Sequence, residues 1–357
     1  MHNLVDQFIQ RIHSAASAQK TLLIQGGGSK HFYGNPTQLD GAEVLDVTTY
    51  SGVVDYDPSE LVVTVKAGTR LAELESLLMQ SNQMLAFEPP RFSEQATLGG
   101  TIAAGLSGPR RAYQGSVSDF VLGIRMLDGQ GRDLHFGGRV MKNVAGYDAS
   151  RLMVGSLGTL GVILEASLKV LPRPEVELSL FQEMSQSQAI EKIHHWSSKP
   201  LPISASCYHN DKLFIRLSGS HAGVRAAYQK IGGEELKSSE SFWQSIRDHT
   251  DPFFSSGKRL WRLSLKSTLP PLTLAGKQLI EWSGALRWLA THGEEADQSL
   301  REQISALGGH ATLFYGEKST IQAFHPLSLP LQKIHQKLKQ QFDPLGLFNR
   351  GRMYSEF

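Results

Sequence analysis

Leu22-Leu23-Ile24-Gln25-Gly26-Gly27-Gly28-Ser29-Lys30 sets how the rest of the chain is read: a short apolar strand runs directly into three consecutive glycines. Without Cβ atoms, successive backbone N–H groups at Gly26, Gly27 and Gly28 can converge on an anion such as a pyrophosphate. The stretch has neither the GxGxxG spacing of a Rossmann turn nor the closing Gly-Lys-Ser/Thr of a P-loop. Taken alone, three glycines are more often a flexible turn. Two later stretches add weight. Ala96-Thr97-Leu98-Gly99-Gly100-Thr101-Ile102-Ala103-Ala104-Gly105 is a helix start so poor in large side chains that a flat cofactor could lie against its backbone. Gly155-Ser156-Leu157-Gly158-Thr159-Leu160-Gly161-Val162-Ile163 runs a glycine-spaced turn straight into a strand. Close packing of helix on sheet explains either stretch alone, but not the ordered set.

Outward from that loop, Leu22–Gln25, Glu43–Val47 and Leu61–Lys66 read as short buried strands. Thr69 is placed to cap a helix through Ser81, with Leu71, Leu74, Leu77 and Leu78 on its apolar stripe. Val121–Leu127 and Arg132–Phe136 flank Asp128-Gly129-Gln130-Gly131, a hairpin signal, and Val162–Leu171 is a further strand closed by Pro172. Near the N-terminus, Leu4, Val5, Phe8, Ile9 and Ile12 share one helix face. Of 34 glycines, 21 lie in residues 1–175, and 14 of those crowd into 99–161, so the chain changes texture after Pro172-Arg173-Pro174. Val176–Glu183, Ser187–Ser198, Ile203–His209, Lys212–Ser218 and His221–Ile231 then make a strand-helix-strand-strand-helix unit. Arg259–Ser267, Ala285–Thr291, Glu294–Leu307 and His310–Tyr315 suggest a degenerate second copy of this split βαβ pattern, which belongs to ferredoxin-like sheets. A last helix spans Leu329–Phe342. The expected architecture is α+β: a first domain over 1–174, a ferredoxin-like domain over 175–328, and a helix and tail over 329–357 that return to the first.

Charge excludes one class of function. Against 36 Lys+Arg stand 34 Asp+Glu, a net +2, which offers no electrostatic case for a nucleic-acid binder. With 40% hydrophobic and 20% charged residues the chain is neither disordered nor fibrous. Its single cysteine, Cys207, excludes an internal disulfide, a four-cysteine zinc site and a self-contained iron–sulfur cluster. Leu152 to Leu171, the most apolar long stretch, is broken by Glu165, Lys169 and glycines, so no membrane span is expected. Asp6 and Gln7 stand where a signal peptide would carry its apolar region, which makes a reduced cytoplasmic setting the default.

Four ordered blocks, Gly26–Ser29, Ala96–Gly105, Tyr113–Gly123 and Gly155–Ile163, resemble the FAD-binding segments of the vanillyl-alcohol oxidase/para-cresol methylhydroxylase flavoprotein family. Lys142-Asn143-Val144-Ala145-Gly146-Tyr147-Asp148 is similar to the segment before the last block in the family's 2-hydroxyacid dehydrogenase branch. The tail Phe342 to Arg352 resembles that branch's closing Asp-Pro…Asn-Pro-Gly-Lys pattern, with Arg350 and Arg352 in place of Pro and Lys. Within the branch, the 26–30 loop with Phe32-Tyr33-Gly34 and the short second half most resemble the FAD-binding subunits of bacterial glycolate-oxidising complexes.

The resemblance implies a two-part FAD-binding domain of the para-cresol methylhydroxylase type and assigns its residues. Gly26, Gly27, Gly28 and Ser29, with Lys30 beside them, would hold the pyrophosphate. Pro89, Pro90, Thr97, Gly99 and Gly100 would pass beside the flavin ring and ribityl chain, and Thr101 and Gly105 of the same block count among the cofactor-binding residues. Gly115, Asp119 and Val121 would line the adenosine or pyrophosphate side and Gly161 with Val162 the adenine half, with Gly155 and Gly158 of the same block also cofactor-binding. Relatives that bind flavin covalently often have His where Ser29 stands. Serine cannot form that linkage and His31 is out of register, so noncovalent FAD is expected.

The larger catalytic chains of the branch carry a His-x-His pair associated with a divalent metal, and this sequence has none. His194 and His195 are adjacent on a helix and diverge by ~100°, so they cannot share a metal. His209, His292 and His310 are scattered, no metal is expected, and no catalytic residue is identified. Arg259, Arg262 and Lys266 could meet a carboxylate but are more often a solvated strand face. Hydride transfer from a 2-hydroxyacid to flavin needs a base and a carboxylate-binding cation. The expectation is therefore a flavin-bearing subunit that supports oxidation of glycolate to glyoxylate, with a larger FAD-containing subunit and an iron–sulfur subunit as partners. Any membrane association would run through those partners. Two alternatives stay open: a stand-alone FAD dehydrogenase of another small hydroxyacid or alcohol, and a non-catalytic scaffold.

Overall fold

The computed structural model describes residues 3–36, 41–138, 149–293, 297–316 and 321–356. Strand Leu22–Gln25 pairs in parallel with Glu43–Asp46. Helix Leu4–Ser17, capped by Asn3, packs Val5, Phe8 and Ile12 into one cluster with Leu22 and Leu45. Beyond this pair stands a five-stranded antiparallel sheet in the order Val53–Asp57, Val62–Lys66, Val162–Lys169, Val121–Leu127, Asp133–Gly137. Strand Val62–Lys66 is buried at Val62, Val63, Thr64 and Val65, as a continuous apolar run with both faces covered should be.

Helix Leu71–Gln80 buries Leu71, Leu74 and Leu78 in the same core as Val63 and Val65. Each such side chain contributes ~1.5–3 kcal/mol of burial. Its N-cap is Arg70, not Thr69. The Thr69 hydroxyl instead accepts the Gly52 N–H at 2.8 Å, a tertiary contact that holds the turn into Val53–Asp57. That strand was not anticipated, because it is an edge with exposed Val53 and Val54 and no buried face to impose alternation.

From residue 176 the chain builds one eight-stranded antiparallel sheet. Its order is Glu234–Glu235, Val176–Glu183, Lys212–Gly219, Ile203–His209, Lys277–Glu281, Leu286–Thr291, Arg259–Ser264, His310–Tyr315. Numbered within each half, the strands stand 4-1-3-2 and then 2-3-1-4. Two ferredoxin-like sheets thus join edge to edge, where Cys207 and Tyr208 pair with Glu281 and Ile280. The repeat is real, and its missing strand is Lys277–Glu281, whose two apolar residues are adjacent rather than alternating. Residues 265–276, where the first copy has a helix, hold none. Helix Ser239–Arg247 was also unexpected.

The two halves are tied by buried charge. Glu88 accepts from Arg110 at 3.0 Å and from Arg216 at 2.9 Å, and Arg110 also pairs with Glu177. Helix Leu329–Phe342 brings the chain back, with Phe342 edge-on to Phe136 and the Leu22 N–H donating to the Leu347 carbonyl at 2.7 Å. Buried Lys339 donates to Asp343 (2.6 Å), to Thr159 O (2.7 Å) and to Phe348 O (3.0 Å). Asp343→Ala strands that ammonium without a counter-charge. The chemical denaturation midpoint should fall by the equivalent of about 3 kcal/mol, and an unchanged midpoint would show that the pair adds nothing. Among the described residues no helix is long and apolar enough to cross a membrane.

Candidate functional site

The glycine loop lies flush on residues 95–97. A Cβ on Gly26 would fall 2.5 Å from Thr97 Oγ1, and one on Gly27 would fall 1.4 Å from the Gln95 carbonyl oxygen. Gly28 then turns with φ +69°. The N–H groups of Gly26 through Lys30 have no acceptor among the described residues, so the loop presents a row of open donors. The cleft they border opens to solvent and is walled by residues 26–31, Thr97, Gly100, Ala103, Leu157, Asn349 and Arg352 among others. Lys30, His31 and Arg352 line it, and no acidic residue does. Burial pushes Lys30 down to about 8 against the opposing pull of Asp248. Two buried hydroxyls, Thr101 Oγ1 and Ser156 Oγ, have no partner among the described residues. Their segments meet beside the cleft, where Gly155 N–H donates to Ile102 O (3.0 Å) and Leu157 N–H to Ala103 O (2.8 Å). A phosphate-bearing ligand in the cleft would satisfy the open donors, whereas the two orphaned hydroxyls lie buried behind its wall.

A second, narrow pocket with room for about one water lies between the halves, with Pro90 and Gly108 on one side and Arg262, Glu281, His249 and Trp288 on the other. Burial raises Glu281 to about 7, against the Trp288 indole N–H and the Arg262 charge; that N–H donates at 2.8 Å. Arg262 sits 5.1 Å from the Trp282 ring centre. His249, stacked on Phe254 at 4.1 Å, is held neutral down to about 3 by burial and by Arg262. A cation and a carboxyl that titrates near neutrality border one narrow pocket. Sequence reasoning missed Glu281 and His249, since neither belongs to a spaced pattern and the sheet alone brings them together. Arg259, Arg262 and Lys266 do not act as a set: Arg259 is buried against Asp297, Arg262 borders the cavity, and Lys266 is exposed.

Residues 4–137 match the family model described as an FAD binding domain. The chain is 50% identical over 348 residues to glycolate oxidase subunit GlcE of Escherichia coli (strain K12), covering 98% of this chain and 97% of that protein. The chain belongs to the glycolate oxidase subunit GlcE family. It is also 31% identical to glycolate oxidase subunit GlcD of Bacillus subtilis (strain 168), covering 98% of this chain and 87% of that protein. In fold it is similar to alkyldihydroxyacetonephosphate synthase, with TM-score 0.65 at 16% identity over 96% of this chain and 74% of that one.

The GlcE-family chain thus carries an FAD-binding domain, and the residues assigned to it fall into three groups. Gly26, Gly27, Gly28, Ser29, Lys30, Thr97 and Gly100 line the glycine-loop cleft together. Pro90 lines the second cavity, next to buried Pro89. The others do not line either space. Gly99 packs its backbone on Ala67, Gly105 meets Gly155, and Gly161 sits under Leu127 O, so each is small for the sake of close approach. Gly158 turns at φ +72° against Asn349. Asp119, although burial opposes ionisation, is held low by bonds from Ser116 and caps helix Val117–Phe120, with Gly115 beside it. Val121 and Val162 are buried in strands. Lys142–Asp148 lies outside the described residues. Among the described residues no group of three metal-ligating side chains comes together.

Proposed function

We propose that this chain is the flavin-bearing subunit of a glycolate oxidase, holding FAD noncovalently and supporting oxidation of glycolate to glyoxylate beside a larger FAD-containing subunit and an iron–sulfur subunit. The observation that carries the reading is the full-length likeness to a glycolate oxidase subunit, together with the open N–H groups at Gly26 to Lys30. FAD would supply the hydride acceptor. Residues 26–30, Thr97 and Gly100 would hold and orient it. The same reading divides the chain at 1–174, 175–328 and 329–357, with the tail serving the first part. A single buried cysteine fits a subunit that leaves iron–sulfur chemistry to a partner.

Denaturing the purified protein should release all its flavin to the supernatant. Flavin retained by the precipitated polypeptide would overturn noncovalent binding, and flavin-free native protein would favour the scaffold reading. Co-purification with the other two subunits tests the complex. Affinity should also depend on pH. Unliganded Lys30 titrates at about 8, and an anion favours the ammonium. FAD affinity should therefore be flat below pH 8 and fall above it, by at most tenfold per pH unit, and Lys30→Met should flatten the profile. An affinity that rises with pH removes Lys30 from the site.

One observation favours a second reading. The pocket that sets Arg262 against Glu281 would have to widen to take a small hydroxyacid, with Arg262 then meeting its carboxylate and Glu281 accepting its hydroxyl proton. That would make the chain a dehydrogenase in its own right.

A further inference from the structure

We propose that the C-terminal segment completes the dinucleotide site, with Arg352 as a cation that meets the pyrophosphate beside the glycine loop. The inference rests on the flavin reading above. Arg352 lies 322 residues from Lys30 in sequence, yet its guanidinium donates to Lys30 O at 3.2 Å and His31 O at 2.8 Å. A further bond reaches Asn35 O at 3.3 Å, and the Asn35 N–H returns one to Arg352 O at 2.8 Å. The side chain is therefore fixed to the residues that immediately follow the loop. It is buried, at 8% exposure, and still borders the cleft.

The tail is held by a second tie. Asn349 Oδ1 accepts the Ile24 N–H at 2.8 Å, and its Nδ2 donates to Leu157 O at 2.6 Å. The strand that feeds the loop and the block around Gly158 are thus joined through one tail side chain. Chemistry distinguishes the two cations of the cleft. Lys30 loses its charge near pH 8, whereas a guanidinium stays protonated across the accessible range, so Arg352 brings a lasting positive charge to the cleft wall. With no acid in the cleft lining, Arg352 keeps that lining positive when Lys30 no longer does.

The test titrates apoprotein with FAD, ADP and riboflavin by calorimetry at pH 7. ADP carries the pyrophosphate without the ring, and riboflavin carries the ring without phosphate. Arg352→Gln should weaken FAD and ADP by about tenfold to a hundredfold and leave riboflavin unchanged. Arg352→Lys, which keeps the charge, should recover most of the ADP loss. ADP affinity within twofold of the natural protein in Arg352→Gln would overturn the proposal. So would equal losses for FAD and riboflavin with no recovery in the lysine variant, which mark a structural residue only. Natural protein that binds neither FAD nor ADP would overturn the flavin reading, and this inference with it.

Discussion

Gly27→Asp should yield a soluble protein stripped of its flavin, with the flavin-to-protein absorbance ratio down by more than about tenfold. Two effects act together. The Cβ of any residue at this position would fall 1.4 Å from the Gln95 carbonyl oxygen, so the loop must lift off the 95–97 segment. A carboxylate among donors that face a pyrophosphate then adds like-charge repulsion of ~3 kcal/mol at ~5 Å and an effective dielectric near 20. The eight-stranded sheet lies outside this contact, so its cooperative unfolding by tryptophan fluorescence should persist. Full flavin occupancy in a soluble Gly27→Asp protein would take the loop out of the site.

Glycolate added anaerobically to the isolated chain should reduce its flavin at least about 100-fold more slowly than it reduces the assembled complex. A general base and a positioned carboxylate cation are each worth orders of magnitude in rate. In this chain both roles would fall to Glu281 and Arg262, the first engaged by Trp288 and the second lying over Trp282. Stopped-flow flavin absorbance with and without partner subunits decides it. Reduction of the isolated chain at the rate of the complex would overturn the prediction and move the chemistry to this cavity. Glu281→Gln and Arg262→Ala should then each remove about 100-fold or more of that rate.

Much of the fold was legible because burial imposes periodicity on sequence. Leu71, Leu74 and Leu78 announce their helix, and the strand-helix-strand-strand-helix order from Val176 to Ile231 announces a ferredoxin-like sheet that has that topology. The elements that escaped notice lack such a signature. Val53–Asp57 is an exposed edge, and Lys277–Glu281 takes its place from partners on both sides rather than from its own pattern. Thr69 has the chemistry of a cap, but a tertiary bond to Gly52 claims its hydroxyl.

The site divides along the same line. Sequence by itself determined that a glycine loop follows Leu22–Gln25, because backbone that must approach closely tolerates only small residues there, while it was the structure that set Thr97 and Gly100 in the wall of that same cleft. It did not separate glycines that face the cleft from glycines such as Gly99 and Gly161 that only let one backbone pack on another, since both demands select the same residue. Only the tertiary structure placed Asn349 and Arg352 beside the loop and set Glu281 against Arg262. Those contacts join residues from separate segments, held together by return of the tail and by pairing of two half-sheets, and no local pattern encodes such distances.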